Sequence, residues 1–277
     1  MMIYTSAFYK NLDETLEQAQ VNKLNMLCEK LALKEGQTFL DIGCGWGTLV
    51  RHAAKQFGAT ATGVTLSAEG AAWCRERAIK DGLTTKQVEI LNCDYREIPK
   101  ERKFDAISAV EMAEHVGIAN FGLFLHNVRA MLHDDGLFYM QVAGLRKGSN
   151  WQDTQWGLFM SRYIFPGADA STPLYWYVKQ LELAGFEVHS VETVGRHYSH
   201  TLHAWYDNWM KNKDTPALAS YPDRLKRLWE IFLAWSSVAA GIGSATCFQI
   251  VSHKNAYTFP RDVFCVQGNA RWHGPRS

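Results

Sequence analysis

The stretch Phe39 to Gly47, FLDIGCGWG, constrains this chain more than any other. Phe39, Leu40 and Ile42 read as a buried strand, and Asp41 puts an acid near its end. Gly43, Gly45 and Gly47 clear the following turn of Cβ atoms, which lets backbone approach a ligand closely. A helix starting near Trp46 aims its free N–H groups and positive dipole end at the same place. The spacing is G-x-G-x-G, not the G-x-G-x-x-G of a dinucleotide-binding turn.

Strand and helix signals alternate around this stretch. Asn11 to Lys34 carries Leu16, Ala19, Leu24, Leu27, Cys28 and Leu31 near one helical face, and Gly36 ends it. Leu49 to Phe57 reads as helix, Ala59 to Thr65 as a β-branched strand, and Ser67 as the cap of a helix to Lys80. Val88 to Cys93, Phe104 to Val110 and Gly136 to Ala143 are further strands, with a helix over Phe121 to Leu132. Such alternation with short connections predicts an α/β fold, a parallel sheet covered by helices on both faces. A ligand then belongs at the carboxyl ends of the strands, near the first turn.

The pattern changes after Gly144. Leu145 to Ser171 shows no period but holds Trp151, Trp156, Phe159, Tyr163 and Phe165. Thr172 and Pro173 open a helix to Leu183, and Phe186 to Val194 reads as a strand. Thr201 to Lys211 and Tyr221 to Val238 read as aromatic helices, and Ala245 to Ser252 as the last strand. Two helices inserted before the last strand are placed to form a lid. Ile231 to Ser252 lacks charge, but Gly241, Gly243 and several hydroxyls make it a poor membrane span. The tail from Ala256 to Ser277 has no readable period.

A length of 277 residues, 47% hydrophobic and 21% charged, suits one globular domain, and a net charge of +1 argues against a nucleic-acid partner. Cys28, Cys44, Cys74, Cys93, Cys247 and Cys265 form no C-x-x-C pair. With no signal-peptide pattern, they read as reduced thiols of a cytoplasmic protein. His197, His200 and His203 lie close together, but no nearby cysteine or acid completes a metal site.

FLDIGCGWG resembles motif I of the class I S-adenosylmethionine (SAM) methyltransferases. Together with GVTLSAE, CDYRE, VEMAEHVG, SRYIFPG, HYSHTLHAWYDNW and GSATCFQI, it resembles the cyclopropane-fatty-acid synthase family from about Tyr4 to Lys254. The wording of EMAEHVG, QVAGLRK, WGLFM and YIFPGADASTPL is closest to the fungal sphingolipid C9-methyltransferase branch. This resemblance implies a Rossmann-like sheet of seven mostly parallel strands with a helical lid. Residues 1–34 would cover the cofactor, and 145–172 and 196–240 would frame the acceptor.

The resemblance also implies roles. Tyr4 and Thr5 would reach the amino-acid end of SAM, with Asp41, Gly43, Cys44 and Gly45 beneath the methionine moiety. Thr65 and Leu66 would lie at the ribose, where many class I relatives carry an acid, and Asp94, Tyr95 and Val110 at the adenine. The family often carries a glutamine at the place where Gly70 stands here. Lipid-modifying members use bicarbonate as base; its ligands would fall on Ser6, Glu114, Gln141, the Ala143 backbone and Tyr198. The cyclopropane synthases carry cysteine at the place of Ser6 and histidine at that of Gln141, so bicarbonate stays an open expectation.

Two acceptor chemistries remain. Methylation of an alkene leaves a carbocation that Tyr198, Phe8 or Trp205 can face, and Glu114, oriented by Tyr198, removes the proton. Methylation of a soluble amine uses Glu111, Glu114 and His115 instead, since E-M-x-E-H also resembles the plant benzylisoquinoline N-methyltransferases. A short closed pocket faced by Glu111 would favour the amine. A third reading is a SAM-binding module without turnover. Family members carry a helical segment ahead of Tyr4, membrane-spanning in the sphingolipid branch. This chain opens almost at Tyr4, so the expectation is either an upstream region or a compact soluble enzyme. A peripheral membrane contact also stays open.

Overall fold

The computed structural model describes residues 1–148, 150–168 and 171–261. Asp169, Ala170, Cys265 and the tail beyond 261 lie outside the described residues. Strands at Thr38–Ile42 (β1), Thr60–Val64 (β2), Val88–Leu91 (β3), Phe104–Val110 (β4), Leu132–Leu145 (β5), Phe186–Thr193 (β6) and Ala245–Lys254 (β7) form one sheet. Its order is β3-β2-β1-β4-β5-β7-β6, and only β7 runs against the others. Helices at Leu16–Lys30 (α1), Thr48–Phe57 (α2), Ala68–Lys80 (α3), Ile118–Met131 (α4), Trp151–Phe159 (α5), Leu174–Leu183 (α6), Gly195–Asn212 (α7) and Asp223–Gly241 (α8) complete it.

Successive side chains of a strand point to opposite faces, and here both faces are covered. Phe39 joins α1 and α2 in one core with Leu27, Val50 and Tyr139. Leu40 and Ile42 join α4 in the other, with Phe121, Phe124 and Phe138. A third cluster, built on Trp156, Met160, Leu202, Phe232 and Leu233, gathers α5, the segment after it, α7 and α8 against Leu145 and Ala245 at the ends of β5 and β7.

Several boundaries differ from those expected. Thr15 and Gln18 form a capping box, so α1 starts at Leu16 rather than Asn11. The aperiodic stretch after Gly144 contains α5, capped by Asn150, running directly into a π-helical segment at Met160–Ile164. A wider turn shifts the phase of the apolar residues, which is why no 3.6-residue period shows. Helix α7 starts at Gly195, earlier than Thr201, and this puts Tyr198 in its first turn. Among the described residues, no helix is long and apolar enough to cross a membrane.

The glycines of the turn after β1 have positive φ (77°, 53° and 66° at Gly43, Gly45 and Gly47). A Cβ at Gly43 would lie 2.5 Å from Met112 Cγ, and one at Gly47 would collide with Cys74 Sγ. Close packing of the protein on itself, as well as room for a ligand, therefore requires glycine here.

Candidate active site

Three adjoining cavities open at the carboxyl ends of the strands. The first, about 440 Å³, is lined by Ile42, Gly43, Thr65, Leu66, Asp94 and Tyr95, among others. The second, about 210 Å³, holds Tyr4, Thr5, Lys23, Asp41, Gly43, Cys44, Gly45, Val110 and Glu111. The third, about 120 Å³, lies under the lid, where Tyr4, Glu111, Glu114, His115 and Tyr198 meet Trp156, Phe165, Leu202 and Phe232. Gly43 borders the first and second, Tyr4 and Glu111 the second and third, and His115 the first and third.

The N-terminal segment is strapped into place over the second cavity. Ala7 N–H donates to Thr201 Oγ1 (3.0 Å), Phe8 N–H to Ala19 O (3.1 Å) and Tyr9 N–H to His197 Nδ1 (3.1 Å). Tyr4 stacks on Trp205 with ring centroids 4.7 Å apart, which fixes it as a wall. Phe8 stacks on His197, and neither Phe8 nor Trp205 lines the third cavity, contrary to the expectation that they face the reaction centre.

In the first cavity, Thr65 Oγ1 accepts from Ser67 N–H (3.3 Å) and braces the turn into α3. Leu66 is 76% exposed. Asp94 caps a short helical turn and pairs with Arg96 (2.6 Å), whose guanidinium holds the carboxyl below its usual range. Tyr95 sets its ring edge-on to Phe124. In the second cavity, Asp41 is buried and accepts from Ser108 Oγ (2.6 Å). Burial pushes it up to about 7, against that bond and the charge of Lys23. A cavity with room for a flat base, joined past a Cβ-free turn to one holding a buried acid and a buried ammonium, fits a nucleoside carrying an amino acid.

The loop leaving β4 carries both acids. Glu111 takes φ 51°, unusual for a residue with a side chain, and its N–H donates to Gln141 O (2.7 Å). Its Oε1 accepts from Ser6 N–H (2.8 Å) and Gln141 Nε2 (2.6 Å), and Tyr198 adds a looser contact. Gln141 Oε1 in turn accepts from Tyr139 Oη (2.9 Å) and Gln249 Nε2 (3.1 Å), and Gln249 Oε1 from Lys30 Nζ (2.8 Å). With its carbonyl occupied, Gln141 has only its NH₂ to offer Glu111, so Glu111 Oε1 is an acceptor.

Burial raises the pKa of Glu111, and these donors and Lys23 oppose the rise. Glu114 has fewer supports. Its Oε1 accepts one long bond from Ala143 N–H (3.4 Å), and Oε2 is buried with no partner. Burial first, and then the charge of Glu111, push it up to about 8. At about 8, Glu114 is mostly protonated at neutral pH, and its ionised fraction is the part that can act as a base. His115 packs edge-on to Phe165, and burial lowers its pKa, leaving it neutral.

Ser6 contributes its backbone N–H to this group, while its Oγ turns to Ala7 O (3.2 Å). Tyr198 turns to Glu111, not to Glu114 as the sequence suggests. The donors expected to hold bicarbonate, Ser6, Gln141 and Tyr198, thus converge on Glu111, and Ala143 N–H meets Glu114. As arranged, they do not fit that ion. Lys23, Gln249 and Lys30 escaped the sequence reading. Lys23 had one signal: it sits four residues from both Ala19 and Leu27, inside the apolar stripe of α1.

The model of the mycolic acid cyclopropane synthetase family matches residues 1–250. The chain belongs to that family. It is 52% identical over 256 residues to sphingolipid C9-methyltransferase 1 of Gibberella zeae, covering 92% of this chain and 50% of the relative. It is 48% identical over 269 residues to sphingolipid C9-methyltransferase of Komagataella phaffii, covering 94% and 55%. The chain thus spans about half the length of these curated relatives. The mycolic acid cyclopropane synthase CmaA1, solved with SAH and CTAB, superposes with a TM-score of 0.84 at 23% identity, over 91% of this chain and 90% of that one. The fold is that of the class I SAM methyltransferases, as the sequence leads one to expect.

Proposed function

We propose that the chain is a SAM-dependent methyltransferase that C-methylates an unsaturated, lipid-like acceptor. The observation that carries this is that the first two cavities border an apolar third one, at His115 and at Tyr4 and Glu111, and that Glu111 and Glu114 both face that third cavity. Bound SAM supplies a sulfonium methyl group that needs little activation. The protein's part is to align the acceptor and exclude water, which supplies much of the rate. The cavity under the lid suits this, because Trp156, Phe165, Leu202 and Phe232 line it.

Methyl transfer to an alkene leaves a carbocation on the acceptor. Tyr4, Tyr198 and Phe165 border the cavity where it would form, and each aromatic face is worth about 0.5–2 kcal/mol to a cation. The ionised Glu114 carboxylate then takes a proton from carbon. Loss from the added methyl closes a cyclopropane; loss from a neighbouring carbon leaves a methyl-branched alkene. Glu111, held by Ser6 N–H and Gln141 Nε2, faces the cation across the cavity. The names of the curated relatives support the lipid acceptor, and a lipid acceptor implies work at a membrane surface.

One observation favours a second reading, methylation of a small soluble amine. The third cavity is only about 120 Å³, below the ~300–1,000 Å³ usual for drug-sized ligands, and both acids face it. Under the lipid reading the lid must open for the chain to enter. The two readings separate by mass spectrometry with deuterated-methyl SAM. We expect label in sphingolipid or unsaturated acyl substrates. Labelled soluble amines with no labelled lipid would refute the lipid acceptor.

A further inference from the structure

Lys23 is a buried cation with no work in the mechanism above. It is 3% exposed, on the sheet-facing side of α1. An ammonium has three protons to donate. One goes to Thr5 Oγ1 (2.7 Å), a neutral hydroxyl. Among the described residues, no carboxylate oxygen comes within the 4.0 Å of an ion pair. Charge buried without an ion partner is costly, and a counter-ion brought by a ligand would offset that cost.

The surroundings define that ligand. Lys23 and Thr5 line the second cavity together with Asp41, Gly45 and Glu111. This cavity therefore presents a buried ammonium, the buried Asp41 carboxylate and the half-buried Glu111 within about 210 Å³. Such a pairing complements a zwitterion. It continues past Gly43 into the cavity of Thr65, Asp94 and Tyr95, so a ligand with its base there has its far end beside Lys23. We propose that Lys23, steadied by Thr5, binds the α-carboxylate of the amino-acid end of SAM, while Asp41 faces its ammonium. This rests on the cofactor reading above and adds the residue that recognises the carboxylate. Burial pulls the Lys23 ammonium down to about 8, with Glu111 and Asp41 opposing, as expected for a cation awaiting a closer partner.

The test compares two probes that share the nucleoside: S-adenosylhomocysteine, and methylthioadenosine, which lacks the amino acid. In calorimetric titrations, Lys23→Met should weaken S-adenosylhomocysteine about 10- to 100-fold, the scale of one charge-assisted hydrogen bond. It should leave methylthioadenosine within about threefold, and Lys23→Arg should restore part of the loss. Equal losses on both probes, or none on either, would overturn the assignment. Should Lys23→Met fold poorly, wild-type protein answers alone. Decarboxylated S-adenosylhomocysteine should bind at least about tenfold more weakly than the intact molecule, and equal binding overturns the proposal. Wild type that binds none of these probes would refute the cofactor reading itself, a different failure from a variant that treats both alike.

Discussion

Raising the pH from 6 to 9.5 titrates Glu114, just past the end of β4, and the geometry sets the response. Glu114 has one long bond and an unpartnered oxygen, and burial with the charge of Glu111 pushes it up to about 8. If its carboxylate takes the proton from carbon, only the ionised fraction works. That fraction is about a tenth at pH 7 and about half at pH 8, so kcat/KM should rise about fivefold between them and level off near tenfold. Replacing Glu111 by Gln removes the neighbouring charge but keeps an oxygen for Ser6 N–H and Gln141. The midpoint should then move to lower pH. Initial rates of label transfer to an acceptor with no titrating group, at constant ionic strength, read both effects. A flat profile, or a midpoint that Glu111→Gln leaves in place, would refute the assignment of Glu114 as base.

Other expectations follow from the same geometry. Glu114→Gln should lower turnover ~10²-fold or more while cofactor affinity stays within about twofold; an unchanged rate removes Glu114 from the chemistry. The folded pKa of Glu114 lies above its ordinary 4.5, so the folded state binds the extra proton between about pH 4.5 and 8. Stability therefore falls as pH rises through that window, and scanning calorimetry should find a smaller decline in Glu114→Gln. Gly47→Ala forces a side chain into φ 66° and onto Cys74, and should cost about 2–4 kcal/mol in urea unfolding. Leu202→Ala enlarges the cavity under the lid, and should change acceptor KM about tenfold while leaving cofactor affinity alone.

The sequence carried much of this where side-chain pattern determines structure. FLDIGCGWG announced β1, its turn and α2, because apolar strand residues and glycines are local signals. The two helices inserted before the last strand were legible from their aromatic residues. What stayed hidden depended on backbone or on phase. Ser6 acts through its N–H, which every residue but proline has, so its side chain misdirects the reader. Tyr198 turns to Glu111 from the first turn of α7, and because α7 starts at Gly195 without a side-chain cap, no capping signal marks that turn. The π segment at Met160–Ile164 scrambled the period of the very stretch that roofs the third cavity. Lys23 passed as an ordinary helix lysine, although it sits inside the apolar stripe of α1.

The shared walls decide which experiments can be interpreted. Tyr4 and Glu111 each face two cavities, and so does His115. Under the proposed function, a substitution at any of them disturbs donor and recipient at once, and its kinetics will not say which half of the reaction suffered. Leu202 and Phe232 touch only the cavity under the lid, and Leu66 and Asn120 only the first cavity. A screen for acceptor range should begin at the first pair and use the second as its control. The residues that look most catalytic are the least informative places to start.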